Sequence, residues 1–145
     1  MAMPYRVSRR AVLQSAGIAI VSAQPAVADG VPTVPQTPHG PLSSFIWEAL
    51  PEFGGSQAII YRSPDGRRVA AAFQESGSFT FTYPFDEFLI VTSGSAKFRI
   101  EGGASFELKT GDVAYLREGT VAHIELSDDF SDITMLIADH PVRWR

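Results

Sequence analysis

A chain of 145 residues, 45% apolar and 19% charged, falls in the size range of one domain, roughly 100–200 residues, and is neither of low complexity nor dominated by charge. It has no cysteine, which excludes disulfides, thiolate metal sites and thiol nucleophiles. Its net charge of −4 argues against nucleic acid as a partner, because phosphate binding needs a basic surface.

Residues 1–28 read as a cleavable signal peptide. They carry Arg6, Arg9 and Arg10 and no acidic residue, followed by an uncharged run over 11–23 that includes Gln14, Ser15 and Gly17. The run is shorter than the roughly 20 apolar residues that span a bilayer. Ala26-Val27-Ala28 then supplies a small-x-small cleavage site. The string Ser8-Arg9-Arg10-Ala11-Val12-Leu13-Gln14 resembles a twin-arginine export signal. Cleavage after Ala28 leaves nine basic and sixteen acidic residues, a net of −7. The expected location is periplasmic or extracellular in a bacterium, with no permanent membrane span.

Residues 29–44 hold Pro32, Pro35, Pro38 and Pro41 and predict an extended arm, either a linker or a strap along the domain or a partner. The packed domain is expected over 45–145, with Trp47 near its start. Short strands are predicted at 58–61, 68–73, 78–83, 87–93, 96–101, 104–108, 112–116, 121–126 and 133–138. Ser63-Pro64-Asp65-Gly66 marks a turn and Gly102-Gly103 a hairpin. No stretch of ten or more residues in 29–145 has a helical period. Evenly spaced strands with glycine turns point to an all-β domain, a sandwich or a closed barrel.

Two motifs make the pattern specific. Glu87 is followed after six residues by Gly94, and Gly111-Asp112 after four residues by Arg117-Glu118-Gly119. With Asp65-Gly66-Arg67-Arg68, Gly77 and Tyr83-Pro84-Phe85-Asp86-Glu87, they resemble the ureidoglycine aminohydrolase-like cupins, a group that includes relatives of an ethanolamine-utilisation protein. The resemblance covers 57–138 and implies a single cupin (jelly-roll) β-barrel that pairs as a homodimer. In metal-binding cupins two histidines precede the glutamate and a third follows the second turn. Here those positions hold Phe81, Tyr83 and Ala122, and the turn proline is Arg117. The tryptophan that many such relatives carry before Gly77 is replaced by Ala72-Phe73. The resemblance therefore implies no cofactor, with manganese, iron or zinc left only to an atypical ligand set.

Strand alternation sorts the candidate residues by face. Phe79, Phe81 and Tyr83 share one face and Thr80 and Thr82 the other. Ala122, Ile124 and Leu126 form an apolar face, which leaves His123 and Glu125 opposite. Only a β-bulge would turn His123 inward. Glu87 alternates with Leu89 and Val91 and is expected inside, near Tyr83. There, lost hydration would raise its pKa unless donors compensate. His39 and His140 have no second ligand at useful spacing, and Asp128, Asp129 and Asp132 lack the order of a calcium loop.

Three functions follow. The first is a small organic molecule bound in an aromatic-lined cavity by Phe81, Tyr83, Ala122 and Ile124. The second is a hydrolase, lyase or isomerase in which Glu87 moves a proton and Tyr83 orients the substrate. The third is a structural accessory subunit, which predicts a filled interior and a large exposed apolar patch.

Overall fold

The structure is a computed structural model that describes residues 34–51 and 55–142. The signal-peptide reading of 1–28 and the first part of the arm, 29–33, lie outside the described residues. Residues 34–41 are irregular and mostly exposed, and lead into a 3-10 turn, Leu42–Ser44. The carbonyl of Leu42 accepts a hydrogen bond from the Trp47 indole at 2.9 Å. This bond ties the turn to the first strand.

Ten strands follow among the described residues: β1 Trp47–Leu50, β2 Gly55–Arg62, β3 Arg68–Gln74, β4 Gly77–Thr82, β5 Asp86–Ser93, β6 Ser95–Ile100, β7 Ser105–Lys109, β8 Val113–Leu116, β9 Val121–Leu126 and β10 Ser131–Ile137. They form two sheets, one six-stranded in the order β1-β2-β3-β10-β5-β8 and one four-stranded in the order β4-β9-β6-β7. All pairings are antiparallel.

Neither sheet closes on itself or joins the other. The expected closed β-barrel is therefore corrected to an open two-layer arrangement. The reason lies in the corners. The chain crosses between layers through turns at 75–76, 83–85, Gly94 and 127–130, and no ladder continues around them. Bulky side chains such as Phe73, Phe81, Phe85 and Phe98 stand between the layers and keep them face to face.

The core follows from alternation. In β9 the residues Ala122, Ile124 and Leu126 are buried, and across β6 they meet Ile100, Phe98 and Ala96 in register. Phe98 stacks on Phe106 of β7 at 5.2 Å. Gly94 makes the tight step between β5 and β6 at φ +67°, where a Cβ would come within 2.4 Å of Ser127 Oγ and 2.9 Å of Phe130 Cα. Only glycine fits that corner. Among the described residues no helix is long and apolar enough to cross a membrane.

Candidate functional site

The space between the sheets has two chemically different walls. The four-stranded sheet contributes an apolar wall: Phe79 and Phe81 from β4, Ala122 and Ile124 from β9, Phe98 from β6 and Phe106 from β7 all face inward. The six-stranded sheet places polar side chains among its apolar ones: Gln57 of β2, Glu87 of β5, and Asp132 and Thr134 of β10 are all buried. Polar groups in such a setting are costly unless they are bonded. The Thr134 hydroxyl donates to Glu87 Oε1 at 2.6 Å and also lies 3.1 Å from the Phe88 carbonyl oxygen.

Tyr83 stands one residue beyond β4, at the corner leading to β5. Its backbone is held from both sides by the second-motif turn. Tyr83 N–H donates to Thr120 O at 2.9 Å, and Gly119 N–H donates to Tyr83 O at 2.8 Å. Its ring is buried and packs edge-on against Phe81 at 4.7 Å and against Phe85 at 6.4 Å. Such pairs add about 0.5–1.5 kcal/mol beyond simple burial. Phe81, Tyr83, Ala122, Ile124 and Glu87 are thus all inside, the first four at or near the apolar wall and Glu87 on the polar one. A separate cavity of about 240 Å³ lies beside Leu42, Trp47, Gln74 and Ser131, and none of those five residues lines it.

Beside the second-motif turn, Asp86 accepts hydrogen bonds from the Tyr115 hydroxyl at 2.6 Å and from Glu118 N–H at 2.8 Å. These two donors, with the charge of Arg117, hold its carboxyl below the usual carboxylate range, and the bond to Asp86 in turn raises the Tyr115 hydroxyl. Asp86 therefore fixes the turn carrying Glu118. His123 lies on the outer face of β9, with Nδ1 2.8 Å from Thr80 Oγ1 and Nε2 3.9 Å from Glu101 Oε2.

Sequence reasoning missed Asp132, Thr134 and Gln57 in the polar wall. Their signal was weak because Ile133, Met135 and Ile137, which alternate with Asp132 and Thr134, look like the core-facing set.

Residues 62–131 match the family described as "EutQ-like cupin domain". Solved structures agree in fold. The EutQ protein of Clostridium difficile superposes with a TM-score of 0.50 at 18% identity, covering 62% of this chain and 71% of that one. KdgF from a Halomonas species gives 0.53 at 16% identity over 67% and 90% of the two chains. An RmlC-like cupin from Shewanella frigidimarina gives 0.57 at 11% identity over 70% and 91%. The match spans 70 of the 145 residues, and with the solved structures it shows a cupin-like fold. No curated protein sequence matches it. At these identities the structural likeness speaks for the fold alone.

The cupin resemblance raises the question of a metal, and the residues at the matching positions answer it. Phe81 and Ala122 have no donor atom, and Tyr83 offers only a phenol, so Glu87 would lack the imidazole partners that such an ion takes. This inner set does not fit a divalent transition metal. Among the described residues, three potential ligands do converge at the surface, where atoms of Glu118, Asp139 and His140 lie within 4.8 Å of one another. His140 Nε2 is 3.4 Å from Glu118 Oε1 and 3.8 Å from Asp139 Oδ1. All three are well exposed and read as a surface charge cluster.

Proposed function

We propose that this cupin-like protein binds a small organic molecule between its two sheets without a metal. The observation that carries the reading is the contrast of the walls: a buried apolar surface with Phe81, Tyr83 and Ile124 at the four-stranded sheet, and a buried carboxylate and hydroxyl pair, Glu87 and Thr134, on the six-stranded one. A largely apolar site with a few fixed polar groups is the usual form of a small-molecule site. The ligand class this favours is amphipathic: an apolar body for the aromatic side and a hydrogen-bonding group for Glu87 and Thr134. The match to the EutQ-like domain supports the cupin setting and names no ligand for this chain. The likeness to the ureidoglycine aminohydrolase-like cupins belongs to the same proposal.

Export is part of this reading. It rests on Arg9-Arg10 and on Ala26-Val27-Ala28.

The test is a thermal-shift screen of the protein against small alcohols, amines, carboxylic acids and sugars, followed by calorimetry on any hit. A binder is expected to raise Tm in a concentration-dependent way. Thr134→Val and Tyr83→Phe are each expected to weaken it about tenfold, the equivalent of ~1.4 kcal/mol. A hit whose affinity neither variant changes would place the site elsewhere.

A second reading is favoured by the burial of Glu87 beside the aromatic cluster. In it Glu87 gives or takes a proton and Tyr83 orients a substrate in a hydrolase, lyase or isomerase reaction. Turnover of a ligand found in the screen, abolished by Glu87→Gln with binding retained, distinguishes it. The third reading, an accessory subunit, draws on the exposed apolar face of the six-stranded sheet.

A further inference from the structure

The outer face of the six-stranded sheet changes character along its strands. Over much of its area it is apolar, with Phe88, Ile90 and Met135 each 37% exposed. At the end beside the 3-10 turn the residues in register are Ser56, Gln74, Ser131 and Ser93, from β2 through β3 and β10 to β5. The register of β5 against β10 slips at this end. Ser131 pairs with Ser93 and Asp132 with Val91, which leaves Thr92 as an extra residue. Such a bulge re-aims side chains. Here it lets two consecutive hydroxyls, those of Thr92 and Ser93, each reach Ser131 Oγ at 2.6 Å.

These hydroxyls form a chain with a fixed direction, because each holds only one proton. Ser93 donates its proton to the Asp129 carbonyl at 2.6 Å. Ser131 must then donate to Ser93, and Thr92 to Ser131. Thr92 Oγ1, at the head of the chain, has no proton left to give and can only accept.

The cavity of about 240 Å³ outside this end of the sheet is bounded by Leu42, Trp47, Ala72, Gln74, Thr92 and Ser131. Trp47 spends its single donor, the indole N–H, on the Leu42 carbonyl, so it contributes apolar surface alone. Gln74 Oε1 accepts from the Ser56 hydroxyl at 3.4 Å, which leaves the amide –NH2 as a donor. Phe73 and Asp132 also border the cavity but lie on the inward-facing side of their strands. The site therefore combines apolar surface with one acceptor and one donor. A carboxylate has no proton for Thr92, and an ammonium group has no lone pair for Gln74. A hydroxyl satisfies both.

We propose that this cavity is a second binding site, separate from the space between the sheets, for a small neutral ring that carries hydroxyl groups, such as a single sugar or cyclitol. Its C–H face would lie against Leu42 and Trp47 and its hydroxyls against Thr92 and Gln74. The volume lies just below the roughly 300–1,000 Å³ of drug-sized sites, which limits the ligand to about one ring.

The test titrates the protein with myo-inositol and methyl glucopyranoside. Binding is followed by calorimetry and by the indole N–H resonance of Trp47, assigned through Trp47→Phe. A saturable shift is expected with at least one of the two. Thr92→Val removes the acceptor at an exposed strand position and is expected to weaken binding about tenfold. Thr92→Ser is expected to retain it. Tyr83→Phe and Thr134→Val, both inside, are expected to leave it unchanged, which separates this site from the one between the sheets. No saturable shift with either polyol overturns the proposal. So does binding that Thr92→Val leaves intact, or that Tyr83→Phe or Thr134→Val weakens as much. A preference for cyclohexylamine or cyclohexanecarboxylate over both polyols overturns the hydroxyl-bearing class.

Discussion

His140 shows how a single exposed side chain couples this fold to pH. Its Nδ1–H donates to the Pro141 carbonyl at 3.1 Å, and Nε2 lies 3.4 Å from Glu118. The carbonyl first, and then the carboxylate, favour the protonated ring and raise its pKa above the ordinary 6.5. A raised folded-state value means that the contribution to stability is fully present below 6.5 and is lost as pH climbs through the higher folded value. The Tm advantage of the protein over His140→Gln is thus expected to be largest below pH 6.5 and to shrink steadily as pH rises above it. A constant difference on both sides of that value would show that the ring acts by packing instead. At this scale the site was partly legible. Glu87 declared itself by alternating with Leu89 and Val91, and the Phe81–Tyr83 face by alternating with Thr80 and Thr82. Thr134 and Asp132 stayed hidden, because Ile133 and Met135 beside them are just as apolar as a core strand would be.

Elements are governed here by their corners. Gly94 has both a positive φ and neighbours that exclude a Cβ, whereas Gly102, at φ +71°, has open space around it. Gly94→Ala is expected to cost the left-handed penalty of about 1–2 kcal/mol plus the displacement of Ser127 and Phe130, and Gly102→Ala only the first part. Urea unfolding of the two variants measures the difference, and equal losses would mean that the 127–130 turn yields freely. Most strand positions were readable, because β4, β6, β7 and β9 alternate apolar with polar and turn at glycine. β1 was anticipated only as the start of the packed region, since Trp47–Leu50 is short and mixed in character.

At the scale of the whole molecule, sequence pattern could not distinguish an open two-layer fold from a closed barrel. Strand alternation is the same in both. Closure depends on whether edge strands meet, and here β1 and β8 have no ladder to β4 or β7. The inner chemistry also belongs to this scale, since a metal site would need donors from both sheets, and the four-stranded sheet offers Phe81 and Ala122 where donors would be required. Elemental analysis of the protein purified without chelators is expected to find far less than one equivalent of manganese, iron or zinc. A stoichiometric metal would assign an ion to a ligand set other than the inner one.

The position of β10 has a consequence for biogenesis. It is the last strand in chain order among those described, yet it lies in the middle of the six-stranded sheet, between β3 and β5. Until it leaves the ribosome, β1-β2-β3 and β5-β8 are two fragments with nothing to join them, each with an open edge where β10 belongs. Pairing of β3 with β10 spans some sixty residues of chain, the kind of distant contact that slows folding. The six-stranded sheet is therefore completed only once β10 is available. Until then the nascent chain must be kept from pairing those edges with other chains.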